Sequence, residues 1–137
     1  MRYRKRAVVG VLCSLLGAAG CSSARDVEVS GEVTAPSSLA VGDKVLIEFI
    51  DVVGEGSQAE RSVAGTTALT SLGDFKETVP LEGDQVLIRA IDDRDGDSAC
   101  SAGEAWGQTQ AEVRDGKAIA TDLTLDTMPC PAPVAEP

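Results

Sequence analysis

Over much of this chain, hydrophobic and polar residues alternate at every second position. Val27, Val29, Gly31 and Val33 alternate with Glu28, Ser30, Glu32 and Thr34, the pattern of a strand with one buried face. Lys44 to Val53 is rich in Val, Ile and Phe and contains no breaker, which predicts a central strand. A second central strand is predicted over Gln85 to Asp92, around Val86-Leu87-Ile88. Ser62 to Ser71, rich in Thr and Ala, predicts a weaker strand, and Leu72-Gly73-Asp74-Phe75 a hairpin turn into Phe75 to Val79. Gln108 to Val113 and Ala118 to Leu125 flank Arg114-Asp115-Gly116-Lys117, where Asp-Gly is a strong short-range hairpin signal. Breakers stand between these runs at Pro36-Ser37-Ser38, Gly54-Glu55-Gly56-Ser57, Pro80 and Glu82-Gly83-Asp84. No stretch after residue 24 reads as a helix. About seven short strands separated by turn signals predict an all-β, antiparallel β-sandwich over residues 27–127. Pro129, Pro131, Pro133 and Pro137 make residues 128–137 an extended tail.

The N-terminus breaks this pattern. Arg2, Arg4, Lys5 and Arg6 precede an almost uncharged apolar run from Ala7 to Ala19, and Ala18-Ala19-Gly20 lead directly into Cys21. A positive start, a short apolar stretch and small residues at a cleavage point make residues 1–20 a secretory signal. A retained membrane anchor is the competing reading, but the run falls short of the roughly 20 residues needed to span a bilayer. An ordinary secreted protein with Cys21 as a free thiol is a third.

Removal of the signal changes the charge. Eight of the 12 Lys+Arg remain against 22 Asp+Glu, a net charge near −14. Such a chain repels nucleic acid and anionic head groups, so neither is an expected partner. The remaining length suits one domain with one core. Its aromatic residues are Phe49, Phe75 and Trp106, all three read as core. Cys13 leaves with the signal, so Cys100 and Cys130 are the pair left in an oxidising setting, and a disulfide is the natural assignment. A metal site built on both thiolates is the alternative; the chain has no histidine to complete it.

One stretch carries a recognisable ligand pattern. From Asp92 to Gly107 the chain reads DDRDGDSACSAGEAWG. Asp93, Asp95 and Asp97 alternate, and Glu104 falls at the twelfth position counted from Asp93. Those are carboxylate positions of an EF-hand calcium loop. Carboxylates this close repel one another unless a cation neutralises them. Ser98 stands where the EF-hand has glycine, and a strand rather than a helix leads into the loop. The loop is therefore more similar to the Asp-x-Asp-Gly-Asp calcium loops of exported β-sandwich modules. Asp93, Asp95, Asp97 and Glu104 are the expected ligands of a calcium ion, with Asp92 a candidate addition. Affinity is expected in the extracellular range of about 10⁻⁴–10⁻³ M. The competing reading is a solvated acidic loop held by the disulfide.

A catalytic reading finds little support. There is no histidine to act as base, no thiol left over and no phosphate-cradling glycine loop. Glu104 with Asp95 or Asp97 offers a carboxylate pair for glycoside hydrolysis, but that chemistry needs a cleft a small sandwich rarely has.

Two resemblances add to these readings. The segment ending Ala18-Ala19-Gly20-Cys21 resembles the lipobox of bacterial lipoproteins, with Ala18 where that family usually has Leu. The resemblance implies that Cys21 receives diacylglycerol, that cleavage occurs before it, and that residues 21–26 tether the domain to a membrane. Ser22, in place of a retaining aspartate, implies the outer membrane. The segments VSGEVTAP, KVLIEFIDV and GDFKETVPLEGDQVLIRAIDD resemble the transthyretin-like (prealbumin-like) sandwich shared by carboxypeptidase regulatory domains, over residues 27–125. That superfamily is mostly non-catalytic. The expected function is thus a non-catalytic, membrane-anchored envelope lipoprotein, a structural or interaction module for an envelope protein partner, stabilised by calcium. A calcium-dependent ligand-binding module is the alternative, and a carboxylate-dependent hydrolase a third.

Overall fold

The computed structural model describes residues 23–134. The expectations for the signal, for cleavage and for lipid on Cys21 lie outside the described residues. Nine strands follow in order: β1 (Arg25–Thr34), β2 (Val45–Val53), β3 (Glu60–Leu69), β4 (Gly73–Leu81), β5 (Gln85–Asp92), β6 (Ala105–Glu112), β7 (Lys117–Ile119), β8 (Leu123–Thr124) and β9 (Asp126–Thr127). They form a β-sandwich. One sheet has the order β4-β1-β7, with β8 also on β1, and the other the order β3-β2-β5-β6-β9. Every ladder of the five-stranded sheet is antiparallel. In the four-stranded sheet β4 pairs antiparallel with β1, whereas β7 and β8 join β1 in parallel. No helix among the described residues is long and apolar enough to cross a membrane.

The predicted strands are present, except that the run from Ala118 to Leu125 is interrupted at residues 120–122 and forms β7 and β8 separately. Strand β1 starts early enough to include Arg25 and Asp26 of the expected tether. The turns do different work from the hairpins expected. At Leu72-Gly73 the chain passes from the five-stranded sheet to the four-stranded one, and between β4 and β5 it passes back. Asp115 and Gly116 do form a tight turn, both left-handed (φ 52° and 74°), closing the Arg114–Lys117 bridge. The chain then leaves β6 and pairs with β1 at Glu28–Ser30. Small residues permit that crossing. A Cβ on Gly31 would lie 2.7 Å from the Ala120 Cβ, so β1 and the segment after β7 approach closely only because position 31 is bare.

The core lies between the sheets. Val27, Val29 and Val33 of β1 and Phe75, Val79 and Leu81 of β4 face Val45, Ile47 and Phe49 of β2 and Val86, Ile88 and Ala90 of β5. The Phe49 and Phe75 rings, 6.0 Å apart, join the two layers. Each such side chain contributes about 1.5–3 kcal/mol on full burial.

The long apolar runs of β2 and β5 are explained by a second covering. Ile50, Val52 and Leu87 point away from the core and are packed by Ala59, Val63 and Val134. The tail as far as Val134 thus lies back across the outer face of the five-stranded sheet. Trp106 is not a core residue. Ala105 and the close approach of Gly107 to the Thr124 carbonyl (2.0 Å from a built Cβ) fix those positions inward, so the alternation turns Trp106 outward. There it is half-buried, donates from Nε1 to the Pro129 carbonyl (3.0 Å) and carries Arg89 over its ring at 5.8 Å.

Two ends of the sandwich are distinct. At one, buried Asp51 accepts from the Glu82 and Gly83 N–H groups (2.8 and 2.9 Å) and closes the β4–β5 turn. Arg25 donates to the Leu81, Glu82 and Gly83 carbonyls of the same turn. From that turn β5 runs, at about 3.3 Å per residue, to the acidic loop at the other end.

Candidate metal centre

The acidic loop leaves β5 at Asp92 and enters β6 at Ala105. Asp93, Asp95, Asp97 and Glu104 each bring a carboxylate oxygen to one place, all within 4.8 Å of one another. Asp93 and Glu104 are buried and Asp95 and Asp97 exposed, so the cluster has a protein side and a solvent side.

Backbone geometry explains the convergence. The Asp93 N–H still pairs with the Lys44 carbonyl (3.0 Å), extending the β2–β5 ladder by one residue. The chain then turns through three left-handed residues, Gly96 (φ 71°), Ser98 (φ 61°) and Gly103 (φ 90°). Ser98, at the sixth loop position, therefore adopts the conformation for which an EF-hand uses glycine, and its N–H bonds the Asp93 Oδ2 at 3.0 Å. Glu104 reaches back into the loop. Its Oε2 accepts from the Arg94 N–H (2.6 Å) and Asp95 N–H (3.3 Å), and its Oε1 from the Ser101 N–H (2.7 Å). Ser101 Oγ bonds the Asp97 Oδ2 at 3.0 Å.

The electrostatics are lopsided. Lys44 Nζ, 3.2 Å from Asp93 Oδ2, is the cation paired with the cluster among the described residues. Arg94 turns away, to Asp92 Oδ2 (3.0 Å) and the Ala40 carbonyl. Asp92, which also accepts from the Gly42 N–H (3.1 Å), is thus a strut for the 36–43 loop and stands outside the cluster. Asp97 is held below the ordinary carboxylate range by the Ala99 N–H and the Ser101 hydroxyl. Asp95 accepts from the Asp97 N–H, which favours its charge. Its hydrogen bond with the Asp97 carboxylate, partial desolvation and the Asp97 charge nevertheless push it up. Asp93 Oδ1 is the one buried side-chain polar atom among the described residues with no hydrogen-bond partner. An unpartnered buried carboxylate oxygen costs about 1–3 kcal/mol or more, and here it belongs to the set of four.

Cys100 lies inside this loop and is bonded to Cys130, with Cα atoms 5.7 Å apart. The disulfide ties the loop to the tail. Lys44 and Ser101 were not visible as parts of the site in the sequence. Lys44 belongs to it only because Val45 pairs with Asp92, a register that composition does not reveal. Comparison with known proteins finds no matching family model, no matching curated protein and no matching solved structure.

Proposed function

We propose that this protein is a membrane-anchored envelope lipoprotein whose β-sandwich is a non-catalytic structural or interaction module, with calcium held by Asp93, Asp95, Asp97 and Glu104. The observation that carries the ion is Asp93 Oδ1, buried and without a partner in a group of four carboxylates served by one ammonium. The donor set is all oxygen, as hard cations require, and its irregular loop suits calcium better than magnesium, which demands near-octahedral geometry and keeps its waters. Convergence on a single point favours an ion over the opposed acid–base pair of a glycosidase. The basic, apolar, small-residue approach to Cys21 supports the anchor. With lipid there, the tether enters β1 at the Arg25 end, so the acidic loop points away from the membrane. The resemblance to transthyretin-like sandwiches supports the absence of catalysis.

Thermal melts of the domain in chelator and in millimolar calcium test the ion. A calcium-dependent rise that is lost in an Asp95→Ala, Glu104→Ala double variant is expected, and no shift up to about ten millimolar, well above the expected affinity range, would sink the calcium assignment. Detergent partitioning and intact mass of the exported chain, with Cys21→Ser as control, test the anchor. A second reading, calcium-dependent ligand binding, is favoured by the exposure of Asp95 and Asp97, which leaves the outer side of the cluster open to a ligand's oxygens.

A further inference from the structure

The outer face of the five-stranded sheet holds a cavity of about 390 Å³, bounded by Arg61, Leu87, Arg89, Gln108 and the tail residues Pro133 and Val134. Its size falls in the range of small-molecule sites. Its charge is contrary to that of the molecule as a whole: in a chain of formal net charge −10, two guanidinium groups meet here. Arg89 is buried. Its Nε donates to Gln108 Oε1 at 3.2 Å, its Nη1 lies 3.9 Å from Glu48 Oε1, and Trp106 covers one side. Burial lowers its pKa, Glu48 opposes that and the Arg61 charge adds to it. Arg61 itself makes no ion pair among the described residues.

We propose that this cavity binds a carboxylate, held by Arg61 and Arg89, with its apolar body against Leu87 and Val134. Guanidinium forks match the two oxygens of a carboxylate. Gln108 turns its oxygen to Arg89, which leaves its amide N–H groups to donate. One of the two positive charges is already answered by Glu48, so the site suits a monoanion, and the same Glu48 repels a phosphate dianion. The carboxylate has two sources. One is a free monocarboxylate with a small apolar side chain; the other is Glu136, two residues beyond Val134 in the sequence.

The test uses the exported chain, N-acetyl-leucine as probe and N-acetyl-leucinamide as its neutral twin, read by Trp106 fluorescence and by the Arg and Gln side-chain N–H resonances. Saturable shifts with the acid and none with the amide are expected, with binding about five-fold weaker in Arg61→Gln, an exposed position that leaves the core untouched. In Glu136→Gln without probe, a shift of the Arg89 resonance assigns the site to the chain's own carboxylate. An unchanged spectrum, with the probe still binding, assigns it to a free one. No saturable response in either protein together with an unchanged Glu136→Gln spectrum, or an equal response to acid and amide, overturns the proposal.

Discussion

Replacing Glu104 by glutamine separates what the carboxylate does for the fold from what it does for an ion. Glu104 is buried and accepts three backbone N–H bonds, from Arg94, Asp95 and Ser101. An amide has one oxygen. Placed at Oε2 it keeps Arg94 and Asp95 but turns an NH₂ group towards the Ser101 N–H, donor against donor. The remaining bonds also lose their charge. Hydrogen bonds to a charged group contribute about 1.5–3 kcal/mol each, so the substitution costs about 2–3 kcal/mol. At about 4 °C per kcal/mol for a domain of this size, the melting midpoint in chelator falls by about 10 °C. Calcium then restores little, because the ligand it needs is gone. The assay is a pair of calorimetric melts, in chelator and in calcium, on Glu104→Gln and on an exposed control, Glu112→Gln. A fall in chelator of under about 2 °C would show that the three N–H groups find water at no cost. A variant raised by calcium as much as the parent would remove Glu104 from the ligand set.

Three further outcomes follow from the same geometry. Gly83→Ala places a Cβ 1.8 Å from the Val52 carbonyl oxygen. Backbone must shift and the Asp51 turn with it, so urea denaturation is expected to register a loss of about 3 kcal/mol or more; a loss below about 1 kcal/mol would deny the close approach. The Cys100→Ser, Cys130→Ser double variant opens a 30-residue separation, costs about 3–4 kcal/mol in the chain-entropy model, and frees the tail, so Trp106 emission moves to the red and the calcium increment shrinks. Unchanged emission would mean that the Pro129 contact alone holds the tail. In chelator, the raised Asp95 makes the fold gain stability as pH falls from neutral through its folded pKa, and the lowered Asp97 makes it lose stability only further down, through its own. Asp95→Asn should erase the gain and keep the loss in melts recorded across that range.

The alternation of Val27 to Val33 and the breaker-free runs around Phe49 and Ile88 made the sandwich legible, because period two and β-branched content are properties of single segments. Pairing is not. Nothing local to Leu72-Gly73 or Asp115-Gly116 says whether the next strand returns to the same sheet or crosses to the other, and both cross. Trp106 was misplaced for a related reason: its outward direction is set by Ala105 and Gly107, whose smallness matters only once β8 lies over them. The four clustered carboxylates were legible from spacing alone, Asp93, Asp95 and Asp97 at alternate positions and Glu104 at the twelfth position counted from Asp93. Asp92 was excluded by a partner, Arg94, two residues away, and Lys44 was included by a register no segment reveals.

The central place of β1 has a mechanical consequence. A pull on the chain before Arg25 acts along the strand, while the ladder bonds to β4, from Arg25–Leu81 to Val33–Gly73, stand across it. The load is therefore shared by the whole ladder, with the parallel partners β7 and β8 on the other side, instead of opening one bond at a time. Arg25, gripping three carbonyls of the β4–β5 turn, takes the first of the strain. A domain pulled by its first strand in this way resists being drawn out, because the ladder on both sides of β1 must shear together before any one pair can part.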